Sequence, residues 1–497
     1  MVLLELHITH CKVFGSIPED VYKIIQENTS YLHNEYMFSY AYKSSGWDGY
    51  VRLFKNNAFP IGLLPRIKYI FKKQSVKYKV VDKRPEIEYG QPLKLDPNSG
   101  FESRDYQIAM AEKCFEKGMG VVKAATGSGK TFTLGLVVGK YNVKTMIYVI
   151  GVELLYQMKS TLERMYPNLE VGIIGDGKCE VKDVNIATIW SAASAFNKKI
   201  NILDADLTYD KKDVANKAKV QKAIREANLF ILDECQYAAA NTVQFIHRAS
   251  ASAKHRFLFS ASPWRDSGDE ILIEAVGGNR IYDLPASKLI EEGYLVRPEI
   301  HFLDVPVMRK VGKTYQEVYS NYIVNNDKRN DLIISSAKKL IDSGKKVLIL
   351  VVRVGHGNIL LKKMKGKYRV DFLDGQNTSK QRLQTIEKMK SGEIDVLIAS
   401  KIFDQGVDIP QLDALILAGS GKSSGRALQR IGRVIRKNEG KVRAIVVDFY
   451  DNAKYLRDHS EVRKKVYETE PSFVIKFPKL KEFKKYPKRK KIDWSSN

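Results

Sequence analysis

The chain is 497 residues long, which is more than one hydrophobic core usually organises, so its length predicts roughly three domains of about 150 residues each. Its 82 Lys and Arg outnumber 57 Asp and Glu, which gives a formal charge of +25. This charge favours nucleic acid over an acidic membrane surface as a partner. The alternative explanation of the charge is solubility by self-repulsion. The four cysteines form no CxxC pair, so neither a zinc site nor a disulfide framework is expected.

The first segment, residues 1–97, is rich in Tyr, Phe and Lys and lacks an alternation of parallel strands and helices. Residues 1–10 alternate apolar and polar side chains like a strand, and they show neither the charged start nor the long apolar core of a secretion signal. No apolar run in the chain approaches the ~18 residues that span a bilayer. We therefore expect a small α+β module at the start of a soluble, cytoplasmic protein.

From about residue 120 onward, short apolar runs alternate with longer helical patterns, which is typical of parallel sheets covered by helices on both faces. The runs fall into two blocks, residues 121–125, 145–150, 229–232 and 257–260, and residues 347–352, 396–400, 414–418 and 444–448. We predict two doubly wound α/β domains, residues 98–285 and 286–455. The basic segment 456–497 is expected to be a tail, either a nucleic-acid arm or a solvated extension.

An apolar strand runs into a glycine-bearing loop and then a helix over residues 121–131. This is a P-loop in which Ala124 replaces the usual first glycine. Its glycines let backbone N–H groups close around phosphate oxygens, and the helix adds its positive end. Lys130 is expected to reach the β and γ phosphates of ATP, and the Thr131 hydroxyl to ligate Mg²⁺. The nucleotide-binding residues predicted in the loop are Thr126, Gly127, Ser128, Gly129, Lys130 and Thr131.

The apolar run at residues 229–232 is a predicted strand, and Asp233 and Glu234 lie at its carboxyl end. Ligands bind at this edge of such sheets. Asp233 fits the partner of Mg²⁺, and Glu234 fits the group that orients or activates the attacking water. By itself, an Asp-Glu pair after a strand is as often a helix cap with a dipole-favoured acid. The P-loop upstream favours the catalytic interpretation.

Further motifs of the chain resemble those of the superfamily-two helicases, and they follow one another in the order that the family has. Arg104 and Gln107 lie in an Arg-Asp-Tyr-Gln segment similar to the family's adenine-recognition element, in which Gln107 would read the base. Residues 260–262, Ser-Ala-Ser, resemble the Ser-Ala-Thr element that couples hydrolysis to motion. Gly406 and Asp408 lie in Gly-Val-Asp-Ile-Pro, which resembles the motif that meets ribose and nucleic-acid backbone. The resemblance implies two tandem RecA-like domains.

Residues 429–436, Gln-Arg-Ile-Gly-Arg-Val-Ile-Arg, match the arginine-finger motif of these motors. The match implies that Gln429, Arg433 and Arg436 are catalytic, together with Lys130 and the acidic pair. Arg433 and Arg436 are expected one turn apart on a helix, so that both guanidinium groups point across an interdomain cleft toward the transferring phosphoryl group. They would complete the site only when the domains close.

Within the family, residues 45–53, 59–64 and 351–357 resemble the corresponding stretches of the phage UvsW-type helicases. That resemblance implies a DNA helicase acting on forks and junctions, whose amino-terminal module holds duplex DNA. Many members of the family carry His or Asp at the position of Gln236, and Thr at the position of Ser262. These two differences leave the subfamily open. The basic residues suited to phosphate contacts in the module are Lys43, Arg52, Lys55, Arg66, Lys68, Lys72 and Lys73.

The implied cofactors are ATP and Mg²⁺. The implied partners are single-stranded, duplex and branched DNA, bound with little sequence specificity. We expect a monomer that acts in an infected bacterial host. An RNA helicase, or an ATP-gated clamp that remodels protein–DNA complexes without separating strands, are the alternatives. Trp47 is expected in the core rather than as a base-stacking platform. The charged segment 197–226 is either a surface insertion or a DNA-contacting loop.

Overall fold

The computed structural model describes residues 1–34, 36–196, 214–263, 268–306, 308, 312–400, 412–419, 421, 424–438 and 440–477. Gly406, Asp408, residues 197–213 of the charged segment and the chain after residue 477 lie outside this description. No helix in the described ranges is both long enough and apolar enough to cross a membrane.

The amino-terminal module is a four-stranded sheet with helices packed on one face. Its elements are β1 (Val2–Leu6), β2 (His10–Phe14), α1 (Glu19–Asn28), β3 (Ser30–Leu32), α2 (Tyr40–Ser45), β4 (Tyr50–Arg52), β5 (Ala58–Pro60), α3 (Leu64–Lys73) and β6 (Tyr78–Asp82). The sheet order is β5-β2-β1-β6, while β3 and β4 pair separately. Alternate side chains of β1 are buried under α1 and α3, as the period of two in a strand requires. The expected α+β module is confirmed.

The first α/β domain is an eight-stranded sheet covered by helices. Its elements are α4 (Asp105–Lys117), β7 (Met119–Ala124), α5 (Lys130–Tyr141), β8 (Thr145–Val149), α6 (Val152–Met165), β9 (Val171–Gly175), β10 (Lys178–Glu180), β11 (Val184–Thr188), α7 (Ile189–Ser194), α8 (Val214–Glu226), β12 (Leu229–Asp233), α9 (Asn241–Ala249), β13 (His255–Ser260), α10 (Ile271–Gly277) and β14 (Arg280–Leu284). The order is β10-β9-β11-β8-β12-β13-β7-β14, and only β10 pairs antiparallel in the described sheet. Strands β8, β12 and β13 are buried at every position because helices cover both faces.

The second α/β domain is a seven-stranded, all-parallel sheet in the order β17-β18-β16-β19-β20-β15-β21. Its elements are α11 (Ala286–Glu291), β15 (Arg297–Asp304), α12 (Tyr315–Val318), α13 (Asp327–Asp342), β16 (Val347–Leu350), α14 (Val354–Met364), β17 (Val370–Leu373), α15 (Ser379–Ser391), β18 (Val396–Ala399), β19 (Ala414–Ile416), α16 (Ser424–Val434), β20 (Arg443–Tyr450), α17 (Leu456–Glu468) and β21 (Val474–Lys476). Two tandem doubly wound parallel sheets are thus confirmed.

Residues 456–477 correct the expectation of a basic tail over 456–497, because they are part of the second sheet and its helical cover. The Arg463 guanidinium on α17 lies 2.9 Å from the Asp448 carboxylate on β20, and both side chains are buried. Tyr467 donates a hydrogen bond to the same carboxylate at 2.8 Å. A buried ion pair survives only with such additional hydrogen bonds. Strand β21 then pairs in parallel with β15.

The amino-terminal module docks on α10 of the first α/β domain. Gly62 lies so close that a Cβ there would come within 1.9 Å of the Glu274 carbonyl oxygen. The Arg66 guanidinium donates to both carboxylate oxygens of Glu274 at 2.7–2.9 Å. Ala275 of α10 belongs to the hydrophobic core of the module. The module and the first domain therefore share buried surface.

Replacing Gly62 with alanine should weaken this docking, because the added methyl group would overlap the Glu274 carbonyl oxygen and overpacking typically costs about 1–3 kcal/mol. We expect a lower thermal unfolding temperature and faster proteolytic cleavage between β6 and α4. The matched control is Gly355→Ala on α14, where a Cβ meets open space and alanine should be neutral or slightly stabilising. Equal unfolding temperatures for the two variants would contradict the tight approach.

Candidate active site

A cleft of about 380 Å³ lies between the loop after β7, the end of β12, α6 and α16. The six residues predicted as catalytic all line it, although they come from both α/β domains. The lining residues are Phe101, Thr126, Gly127, Gly129, Lys130, Thr131, Phe132, Ile150, Leu154, Gln157, Thr161, Asp233, Glu234, Gln429, Arg433 and Arg436.

The loop between β7 and α5 has the shape of a phosphate cradle. Gly127 and Gly129 have φ angles of 88° and 78°, a region that residues with a side chain rarely adopt. The Lys130 ammonium donates to the Ala124 carbonyl oxygen at 3.3 Å, a contact that a phosphate oxygen can replace. The Ser128 hydroxyl is buried without a hydrogen-bond partner among the described residues. These features fit the phosphate chain of a nucleotide.

Gln107 braces the cradle from behind. Its Oε1 accepts a hydrogen bond from the Arg104 backbone N–H at 3.0 Å, and its Nε2 donates to the Ser128 carbonyl oxygen at 2.9 Å. Tyr106 donates to the same carbonyl at 3.1 Å, and the Arg104 guanidinium lies 4.4 Å from the centre of the Tyr294 ring. Both polar ends of Gln107 are therefore engaged within the protein. Recognition of adenine by Arg104 and Gln107 stays a prediction.

Asp233 is buried at the end of β12, whereas Glu234 is partly exposed. Burial, and after it the Glu234 carboxylate, raises the pKa of Asp233 to about 7, and Lys130 opposes this rise. Asp233 and Thr131 offer the hard oxygen ligands that Mg²⁺ prefers, so these two residues would hold it. Glu234 has a φ angle of 63°, an uncommon conformation for a residue other than glycine and one that costs backbone energy.

The Glu234 carboxylate is tied to the end of β13 through Gln236 and Ser260. Gln236 Nε2 donates to Glu234 at 3.0 Å, and the Ser260 hydroxyl donates to Gln236 Oε1 at 2.8 Å. Ser260 also lies 3.3 Å from Glu234, and the Ser262 backbone N–H donates to the Ser260 hydroxyl at 3.0 Å. The two-ended carboxamide of Gln236 therefore links the acidic pair to the Ser-Ala-Ser segment.

Helix α16 carries the second domain's contribution into the cleft. At Gly432 a Cβ would lie 2.3 Å from the Thr126 Cβ, so the helix packs directly on the P-loop. One turn earlier, Gln429 Nε2 donates to the Glu234 carboxylate at 3.1 Å. Arg433 follows on the same helix and lines the cleft.

The expectation that Arg433 and Arg436 share one helix is wrong. Helix α16 ends at Val434, and Arg436 forms an isolated β bridge with Leu295. The neighbouring Ile435 carbonyl accepts a hydrogen bond from the Val296 N–H at 2.8 Å, which pairs this segment with the chain that enters the second sheet. Arg436 nevertheless lines the cleft, held by the bridge and not by the helix.

Six residues that line the cleft were given no site role from the sequence: Phe101, Phe132, Ile150, Leu154, Gln157 and Thr161. The Phe101 ring lies 5.3 Å from the Phe132 ring, and the Arg164 guanidinium lies 4.4 Å from its centre. Gln157 and Thr161 lie four residues apart on α6, where no motif marks that face.

Comparisons with known proteins match both α/β domains. Residues 329–438 match the helicase conserved C-terminal domain, and residues 100–265 match the res subunit of type III restriction enzymes. The ATP-dependent DNA helicase uvsW of Enterobacteria phage T4 is 25% identical over 473 residues, which cover 90% of each chain. The chain belongs to the superfamily-two helicases. It is therefore a nucleic-acid-dependent ATPase.

Other proteins similar to this chain match it over different fractions of their own length. The DNA 3'-5' translocase XPB2 of Sulfurisphaera tokodaii is 22% identical, with 82% of this chain and 98% of that relative covered. The present chain spans only 55% of the length of a relative from Haloarcula marismortui and 51% of the length of one from Saccharomyces cerevisiae. The solved structure of the type ISP restriction-modification enzyme LlaBIII bound to DNA has a TM-score of 0.54 at 14% identity, covering 74% of this chain and 30% of that one, and shares the fold.

Glu234→Gln should leave nucleotide binding intact and slow hydrolysis by about 10²–10⁴-fold, because the amide cannot accept the proton of the attacking water. Binding can be followed with a fluorescent ATP analogue, and hydrolysis by phosphate release at saturating nucleotide and DNA. Glu112→Gln, which alters an exposed carboxylate on α4, serves as the control. A hydrolysis rate within tenfold of the wild type would contradict the role of Glu234.

Arg433→Ala should lower kcat by about 10³-fold or more with a much smaller change in KM, because an arginine finger acts on the charge of the transition state. The matched control is Arg426→Ala, since Arg426 is exposed on the same helix α16. Steady-state hydrolysis over a range of ATP concentrations separates the two parameters. Equal losses in the two variants would show that only the general charge of α16 matters.

Proposed function

We propose that this helicase translocates on one DNA strand as a monomer while its amino-terminal module grips duplex at a fork or junction, driving branch migration, fork regression or unwinding. The observation that carries the proposal is a nucleotide cleft built from both α/β domains. Gln429 bonds to Glu234 at 3.1 Å, and Arg382 of α15 bonds to Glu153 of α6 at 2.9 Å, so polar contacts join the two domains. A ligand that prefers the closed arrangement shifts the population toward it.

The residues of the cleft divide the chemistry between them. Lys130 exchanges its bond to the Ala124 carbonyl for a phosphate oxygen, and Glu234 orients the attacking water and accepts its proton. Arg433 and Arg436 stabilise the negative charge that develops on the transferred phosphoryl group. Mg²⁺, held by Thr131 and Asp233, would supply further charge neutralisation. Release of phosphate removes the charge that draws the arginines inward, so the domains can separate.

The amino-terminal module should move with the first α/β domain. Ser260 at the end of β13 and the nearby Ser262 bond within the Glu234 network, and α10 begins at Ile271 of the same domain. Helix α10 is the element that Gly62 and Arg66 contact. The hydrogen-bond network of the acidic pair and the surface that carries the module therefore both belong to the first α/β domain.

The basic residues of the module are not equally available for DNA. Arg66 is committed to Glu274, and Arg52 forms an ion pair with Asp48. By contrast, Lys72 and Lys73 are exposed at the end of α3, and Lys43 and Lys55 are also exposed. We assign the phosphate contacts of the module to these lysines, which would position DNA without reading its sequence.

ATP hydrolysis should be stimulated most by forked DNA and four-way junctions, less by single strands, and least by RNA, because the module adds a duplex-binding surface to the motor. Hydrolysis is measured with no nucleic acid and with each of these substrates, and Lys130→Ala should abolish the activity. Stimulation by RNA alone would contradict the assignment to DNA. Displacement of bound protein without strand displacement would instead support an ATP-gated clamp.

A further inference from the structure

The part of the segment between β3 and β4 that the structure describes, residues 33–34 and 36–49, exposes apolar side chains of the amino-terminal module. We call it the aromatic knuckle. Phe38 is 79% exposed and Tyr40 is 84% exposed, and Met37 and Tyr42 are exposed beside them. With the flanking Leu32 and Tyr50, this short stretch holds six of the eighteen large apolar side chains that are exposed in the described chain. Such clustering marks a contact surface.

The knuckle is a built structure and not an unravelled loop. The Ser39 hydroxyl accepts a hydrogen bond from the Tyr42 N–H at 3.2 Å and donates to the Tyr36 carbonyl oxygen at 2.8 Å. The Tyr36 and Tyr42 rings meet edge to face at 4.9 Å. Gly49 has a φ angle of 83°, and a Cβ there would lie 2.5 Å from the Tyr36 ring. The backbone that presents Phe38 and Tyr40 is therefore held by specific contacts.

Trp47 closes the base of the knuckle, which corrects the expectation that it lies in the core. Its side chain is only half-buried, and its indole N–H donates to the Tyr50 carbonyl oxygen at 2.9 Å. Below it, the Leu53 N–H donates to the carbonyl oxygen of the buried Thr29 at 2.9 Å, where β4 joins the module's core. The knuckle therefore stands on a fixed base.

Charge distinguishes between the possible occupants of this surface. Between residues 30 and 84, eleven Lys and Arg accompany only three acidic residues. A second copy of the chain would bring the same positive charge and be repelled. Exposed aromatic faces on a module with a net positive charge suit single-stranded nucleic acid, since bases can stack on the rings while the module's lysines contact the phosphates.

The base of the knuckle lies beside the first α/β domain. Burial, and after it the Asp269 carboxylate, raises the pKa of Tyr31 on β3, which places this strand near the segment that leads into α10. The base of the knuckle therefore lies near the first α/β domain, while the Phe38 and Tyr40 side chains are exposed to solvent.

We propose that the aromatic knuckle stacks on unpaired DNA bases where the duplex opens, with Phe38 and Tyr40 as the stacking faces. Bases held there cannot pair again with the strand on which the motor moves. The inference rests on the proposed function, because it assigns one surface of the module to the single-stranded side of a fork.

The test uses forked DNA with 2-aminopurine at the first unpaired positions, because stacking on an aromatic ring changes the fluorescence of this base. In the variant Phe38→Ser with Tyr40→Ser, we expect the fluorescence change to be lost and fork affinity to fall about tenfold. The loss should be similar at every salt concentration, since stacking releases no counterions. Thermal unfolding should match the wild type, because both side chains are exposed.

Two controls separate stacking from other effects. The exchange Phe38→Tyr with Tyr40→Phe keeps both rings and should behave like the wild type, and Ile108→Ser removes an exposed apolar side chain from α4. A double serine variant that keeps the fluorescence change and unwinds forks normally would overturn the knuckle assignment but not the proposed function. A variant that loses only self-association would have the same consequence. A wild-type protein that DNA does not stimulate would overturn the proposed function.

Discussion

Helix α16 reaches the nucleotide cleft because Gly432 has no side chain, and a Cβ at this position would lie 2.3 Å from the Thr126 Cβ. The bond from Gln429 to Glu234 and the place of Arg433 in the cleft both follow from that approach. The cleft is complete only while two separately folded domains touch. A nucleotide that contacts both walls can therefore change the distance between the domains, and this is the physical basis of a motor.

Hydrogen bonds from both α/β domains meet at Glu234. A carboxylate can accept several hydrogen bonds at once, and this one receives them from Gln236, Gln429 and, at a longer distance, Ser260. Its uncommon backbone conformation persists because these contacts hold it. A change in charge or position at Glu234 thus alters the contact with the second domain and the end of β13 together.

The amino-terminal module is less independent than its separate sheet suggests. It shares Ala275 with the first domain, and Gly62 and Arg66 fix it to α10. The module and the first domain therefore form one unit against which the second domain can move. Phe38 and Tyr40 stay uncovered on that unit, whereas the apolar side chains of the two sheets are packed away under helices.

The sequence by itself determined the two α/β domains, the P-loop and the acidic pair, because each depends on a local strand, turn or helix. All eight apolar runs became strands, since strands buried on both faces need apolar side chains throughout. Strands of mixed polarity, such as β14, β15, β17 and β21, left no comparable signal. Only the tertiary structure turned Gln107 toward the P-loop, placed Arg436 on a bridge, brought Phe101 into the cleft, left Trp47 half-buried and joined Arg463 to the second sheet. Each of these depends on a partner distant in sequence or on the packing of the surrounding structure, which no local pattern contains.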